Sequence, residues 1–148
     1  MQKLNVIDRM NQRQNKCFYT SYSEMNEVLT RFAAEAEADD IWMSAEVQEL
    51  KKNRSNDQLC RIVSMALDTA RLNCIETTPP RNRYIRIRCR DIQEQTLIKI
   101  QYSCEDGMIR EFDKGIIKMR ELIESAGGYL KFQLDGDKGI VKIAVPDN

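Results

Sequence analysis

Ser64, Asp68 and Arg71 stand four and three residues apart, a spacing that gathers a hydroxyl, a carboxylate and a guanidinium on one side of a helix. Such a trio can line a binding pocket, but it offers no nucleophile and base. The 148-residue sequence has no histidine, which removes the commonest general base, the commonest metal ligand and any phospho-accepting imidazole. No Ser-His, Cys-His or paired-carboxylate arrangement is present. Five cysteines, Cys17, Cys60, Cys74, Cys89 and Cys104, show no C-x-x-C spacing. With Cys60 and Cys89 on apolar faces, they read as buried reduced thiols rather than disulfides or a zinc site. Arg86, Arg88 and Arg90, preceded by Arg81 and Arg83, read as the solvated face of a sheet. The alternative is a patch for an acidic partner or nucleic acid, with Tyr84 the one interleaved aromatic residue. Asp135–Gly139 holds two acids and two glycines but lacks the length and distal glutamate of a calcium loop, so it reads as a hairpin turn. Trp42, beside Met43, reads as a core anchor.

These residues need elements to position them, and the composition bounds what those elements build. Lys and Arg number 23, as do Asp and Glu, so bulk charge favours neither nucleic acid nor an anionic membrane surface. No apolar run approaches the roughly 18 residues of a membrane span, and no signal peptide opens the sequence. The expectation is a cytoplasmic domain that binds no nucleic acid and makes no membrane contact.

The central element is Asp57–Cys74, where Leu59, Ile62, Val63, Ala66, Leu67, Ala70 and Leu72 recur mostly at helical steps and Ser55 or Asn56 is placed to cap the start. Before it, Met25, Val28, Leu29, Phe32, Ala33 and Ala36 stripe a helix capped by Ser23 and ending near Asp39–Asp40. Ile41–Val47 alternates as a half-buried strand, and the polar Lys51–Ser55 turns the chain. After the central helix, Thr77, Thr78, Pro79 and Pro80 are expected to forbid regular structure over Ile75–Arg83. Tyr84–Asp91 and Thr96–Tyr102 alternate as antiparallel strands, joined by a turn around Gln93–Gln95. Ser103–Asp113 reads as a loop. Gly115–Ala126 is a helix ended by Gly127–Gly128, and strands Tyr129–Leu134 and Ile140–Val145 follow, joined by Asp135–Gly139.

The order predicts an α/β (α+β) two-layer sandwich, a mixed sheet with helices on one face. Residues 1–23, rich in Gln, Asn, Arg and Lys, read as a linker or helical arm through which the chain would form a homodimer, and 24–148 as the domain.

The order of elements, with a Gly-Gly helix end, a closing hairpin and a final Val-Pro, resembles the ATPase domain of sensor histidine kinases, the Bergerat fold of the GHKL group, and most of all the quorum-sensing type. Met25–Ile41 resembles the helix leading to that domain's first strand, Leu59–Ala70 its N box, and Gly115–Gly128 the second half of its glycine-rich G2 box with the following helix. The resemblance implies a role in two-component signal transduction. It places Met65 and Thr69 where the family has two asparagines, the later of which holds magnesium, and neither residue replaces an amide carbonyl well. Asp68, next door, points about 100° away around the helix. Tyr102 falls where an acidic or amide side chain reads adenine, and its hydroxyl is a less suitable acceptor. Asp106–Gly107 reads either as a shifted aspartate–glycine pair or as a turn. Little room is left for a lid, and Asp113 replaces the first G2 glycine, so that only Gly115 survives; a carboxylate there repels phosphate.

The resemblance and its departures together imply a degenerate domain that binds a protein partner or pairs with an active kinase. Met65, Thr69, Tyr102 and Gly115 would surround a relic nucleotide pocket. No cofactor is expected. The alternative is a competent catalytic domain of a sensor histidine kinase that takes ATP and Mg2+ and phosphorylates a histidine on another chain or on a segment missing from this sequence.

Overall fold

The computed structural model describes residues 23–48, 56–105 and 114–146. The arm over 1–22, the Lys51–Ser55 turn, the capping residue Ser55 and the segment holding Asp106, Gly107 and Asp113 lie outside the described residues. In chain order the elements are α1 (Ser23–Ala38), β1 (Trp42–Val47), α2 (Asn56–Thr77), a 3-10 turn (Pro80–Asn82), β2 (Tyr84–Ile92), β3 (Gln95–Ser103), α3 (Lys114–Ser125), β4 (Tyr129–Asp135) and β5 (Lys138–Pro146). The strands form one sheet in the order β1-β2-β3-β5-β4, with β1 and β2 parallel and the other pairs antiparallel. This is the two-layer α/β arrangement that the element order predicts.

α1 buries Met25, Val28, Leu29, Phe32, Ala33 and Ala36, the apolar stripe of its sequence. It ends because Asp40 turns left-handed at φ 58°. The Asp40 amide then donates to the Glu37 carbonyl and the Ile41 amide to that of Ala36, which satisfies carbonyls the helix leaves open. The same closure ends α3, where Gly127 takes φ 83°, its amide donates to Glu124 and that of Gly128 donates to Ile123. α2 packs against α1, α3 and β3, as befits the element that the chain is built around. Its buried residues run from Leu59 through Cys74, but Leu72 is 52% exposed, because it sits nearly half a turn from the middle of the buried stripe.

The proline stretch is more regular than expected. α2 continues through Thr77, because a proline restricts only the residue before it, here Thr78. Pro80 then opens a 3-10 turn, whose first position suits a residue without an N–H.

Ile85, Ile87, Cys89, Ile98, Ile100, Val141 and Ile143 are buried in the core beneath the helices, and Arg86, Arg88 and Arg90 are exposed, as the alternation requires. Trp42 instead lies on the outer face in register with Tyr84, half-buried, with the Arg86 guanidinium 5.7 Å from its ring centre. Parity decides this: Met43 takes the core side of β1, so its neighbour cannot. The last hairpin turns on two residues, Gly136 and Asp137, rather than five. Gly139 belongs to β5, where it faces Tyr102 in the ladder.

Candidate functional site

One face of α2 carries Met65, Asp68, Thr69, Leu72, Asn73 and Glu76, spaced at three and four, and these residues form one wall of a depression of about 210 Å³. The first turn of α3 closes it with Gly115 and Ile116. Three of the four expected site residues, Met65, Thr69 and Gly115, thus share one depression. Tyr102 is not on its wall: the ring is 0% exposed, in the core. Gly139 makes room for it, since a Cβ built there would lie 2.3 Å from the Tyr102 Cζ.

The polar groups of this depression are turned inward along the helix. Thr69 Oγ1 donates to the Met65 carbonyl at 2.9 Å, and Asn73 Nδ2 donates to the Thr69 carbonyl at 3.2 Å. Thr77 Oγ1 repeats the pattern onto the Asn73 carbonyl at 2.8 Å. The Asn73 Oδ1 is buried and without a hydrogen-bond partner among the described residues, and Asp68 and Glu76 also line the depression. Asp68 is exposed, yet partial desolvation of its carboxyl, and secondly the nearby Glu35, raise its pKa against the opposing charges of Arg71 and Arg31.

Of the trio that opens the sequence reading, only Asp68 reaches the depression. Arg71 turns to α1, its Nε 2.5 Å from Asp39 Oδ2, and Ser64 is not on the wall. The sequence reading also missed Arg83, grouped there with the arginine stripe. Its guanidinium donates to the carbonyls of Thr78 at 2.9 Å, Asp39 at 2.8 Å and Ile75 at 3.3 Å, which clamps the C-terminal ends of α1 and α2 together. Its place before the strand, outside the alternation, was the only signal in the sequence.

Tyr102 lies near two buried thiols. Burial, then Cys104 and Cys74, push its phenol far above its ordinary pKa. Its hydroxyl has no hydrogen-bond partner among the described residues. Cys74 contacts Ser103 Oγ at 3.1 Å, and burial raises its thiol, so it is neutral and unreactive. Cys60, Cys74, Cys89 and Cys104 are buried and in no disulfide among the described residues, as expected, and Cys17 lies outside those residues.

The chain resembles solved structures of sensor kinases over most of its length. The Acinetobacter baumannii histidine kinase AdeS aligns with a TM-score of 0.68 at 14% identity, over 96% of this chain and 75% of that one. A mycobacterial sensor histidine kinase, MprB, gives 0.65 at 15%, over 85% and 95%. The nucleotide-free catalytic domain of the histidine kinase ThkA gives 0.65 at 16%, over 84% and 92%. The chain has the fold of a histidine kinase catalytic domain. No protein-family model matches the sequence, and no curated protein matches it.

Between α2 and the start of α3 the walls of the depression combine apolar side chains with the carboxylates of Asp68 and Glu76. The depression is smaller than the roughly 300–1,000 Å³ of ordinary ligand pockets, and Met65, Leu72 and Ile116 give it apolar walls. Among the described residues no group of three or more acids, cysteines or histidines is placed to hold a metal. Asp68 and Glu76 would repel phosphates that arrive without one. Among the described residues, no helix is long and apolar enough to cross a membrane.

Proposed function

We propose that this domain is a degenerate relative of the histidine kinase ATPase domain, a regulatory or protein-interaction module in bacterial-type signalling that acts by binding a protein partner or by pairing with an active kinase. The observation that supports this most directly is the state of Met65 and Thr69. A thioether offers nothing to a hard cation, and the neutral Thr69 hydroxyl, which donates its proton back to the Met65 carbonyl, is a poorer oxygen ligand than an amide carbonyl. The adenine-reading position supports it too, because Tyr102 is a fully buried core residue. A module of this kind retains the shape of the domain and the surfaces that shape presents.

Calorimetric titration of the protein with ATP in the presence of magnesium tests this reading. The expected result is no binding heat at nucleotide concentrations up to the millimolar range. Micromolar, magnesium-dependent binding would overturn the reading in favour of a competent catalytic domain that phosphorylates a histidine on another chain.

A further inference from the structure

The ladder register sets one row of residues straight across the outer face of the sheet. Glu46 on β1 stands beside Arg88 on β2, then Lys99 on β3, Lys142 on β5 and Lys131 on β4. Four cations on four consecutive strands are thus about 4.8 Å apart in backbone spacing, an arrangement that weakens a sheet when like charges face each other directly. Glu46 relieves Arg88, with 3.1 Å between Oε2 and Nε. Among the described residues no ion pair relieves Lys99, Lys142 or Lys131. Arg86, Arg90 and Lys138 add to the same face, against Asp135 at the far hairpin. A chain with equal numbers of cations and anions has concentrated its cations here.

The next row is of another kind. Arg90 is followed by Leu97, Ala144 and Tyr129, and Tyr129 is 57% exposed. Arg88, Lys99 and Lys142 of the first row, with Glu46 at their end, and Arg90, Leu97 and Tyr129 of the second line a groove of about 420 Å³, cationic on balance and with an apolar stretch at Leu97 and Tyr129.

We propose that this groove docks an acidic segment of a protein partner, with its carboxylates on the row of Arg88, Lys99 and Lys142 and an apolar side chain against Leu97 and Tyr129. Charge complementarity requires an anionic occupant, and the adjacent apolar row selects among anions. Single-stranded nucleic acid needs open aromatic faces for its bases. Two of the three aromatic rings of this face are taken, since the Arg86 guanidinium sits 5.7 Å from the Trp42 ring centre and 5.6 Å from that of Tyr84, which leaves Tyr129 alone to stack a base. An anionic bilayer is gripped by apolar side chains that project past the charges, whereas Ala144 is buried and Leu97 half-buried. A peptide meets both rows at once.

Fluorescence anisotropy of the full chain with a labelled peptide of alternating Glu and Leu tests the proposal. Binding at low salt should weaken steeply as salt rises, and the matching Lys-Leu peptide should not bind. Exchanging both Lys99→Gln and Lys142→Gln should lower affinity at least tenfold while leaving the melting temperature unchanged or raised, because a repulsion is removed. Tyr129→Ser should lower affinity severalfold with the salt dependence kept. Absence of Glu-Leu peptide binding at low salt overturns the proposal, as does affinity indifferent to the double exchange. A fall in melting temperature in the double variant overturns it too, since the row would then be structural. Tighter binding of dodeca-uridine RNA, or of phosphatidylserine-containing vesicles, overturns it in favour of a nucleic-acid or membrane surface.

Discussion

The phenol of Tyr102 is a polar group buried among apolar neighbours with its oxygen unpartnered among the described residues. An unsatisfied buried hydroxyl costs about 1–3 kcal/mol, so Tyr102→Phe, which keeps the ring over Gly139, should stabilise the fold by about 1 kcal/mol. A lower melting temperature in thermal denaturation would show instead that the hydroxyl has a partner. Asp68 is a second residue held against its preference. Its side chain is exposed on α2, but partial desolvation of the carboxyl, with Glu35 behind it, raises its pKa, so the folded chain binds the proton more tightly than the unfolded one. Ionisation therefore costs stability above the raised value, and that cost fades as pH falls through it towards the ordinary carboxylate range. Asp68→Asn should raise the melting temperature near neutral pH, and the gain should disappear in acid. A gain that persists below the ordinary value of 3.8 would assign it to some other cause.

At the scale of elements, the ends of α1 and α2 depend on Arg83, whose five N–H groups form a planar fork that reaches carbonyls of both helix ends at once. Arg83→Ala should destabilise the fold by about 2 kcal/mol in urea unfolding, since it strands carbonyls that a charged donor now satisfies. Arg83→Lys should recover little, because an ammonium group cannot span three acceptors in two directions; full recovery would mean that charge alone is what matters there. The strands and helices themselves were legible in the sequence, because each buries one face and writes its period in apolar residues. The alternation through Ile85, Ile87 and Cys89 fixes which face of the sheet each side chain takes without any knowledge of the partners. What was not legible depends on distant neighbours. Trp42 looks like a core residue by type, and only the parity of β1 sends it outward. Gly139 looks like a turn residue, and only the Tyr102 ring across the ladder explains it. The row of lysines is invisible until strands far apart in sequence are laid side by side.

At the scale of the whole molecule, the candidate site and the core share residues in a way that the sequence shows only in part. The helical spacing of Met65 and Thr69, and their position opposite Gly115, could be read from the order of elements, and these three do share one depression. Tyr102 shares the parity of Ile98 and Ile100, which turns it into the core, and the resemblance set that alternation aside; the space its ring fills there is left by Gly139 on the facing strand. Restoring the nucleotide-binding residue types is therefore two different problems. Met65→Asn with Thr69→Asn changes half-buried positions at a surface, so the double variant should fold with its melting temperature little altered. Tyr102→Asp removes a ring that fills the core over Gly139 and places a carboxylate where the ring was fully buried, a change that combines a cavity with an unpaired charge. It should cost at least about 3 kcal/mol by analogy with other aromatic truncations in cores. Added to the double variant, it should abolish cooperative unfolding before it confers any affinity for ATP. Calorimetry and thermal denaturation on the double and triple variants decide this together. A triple variant that melts like the parent and binds magnesium ATP would mean that the space under Tyr102 is still an adenine site, and that the core has not closed over it.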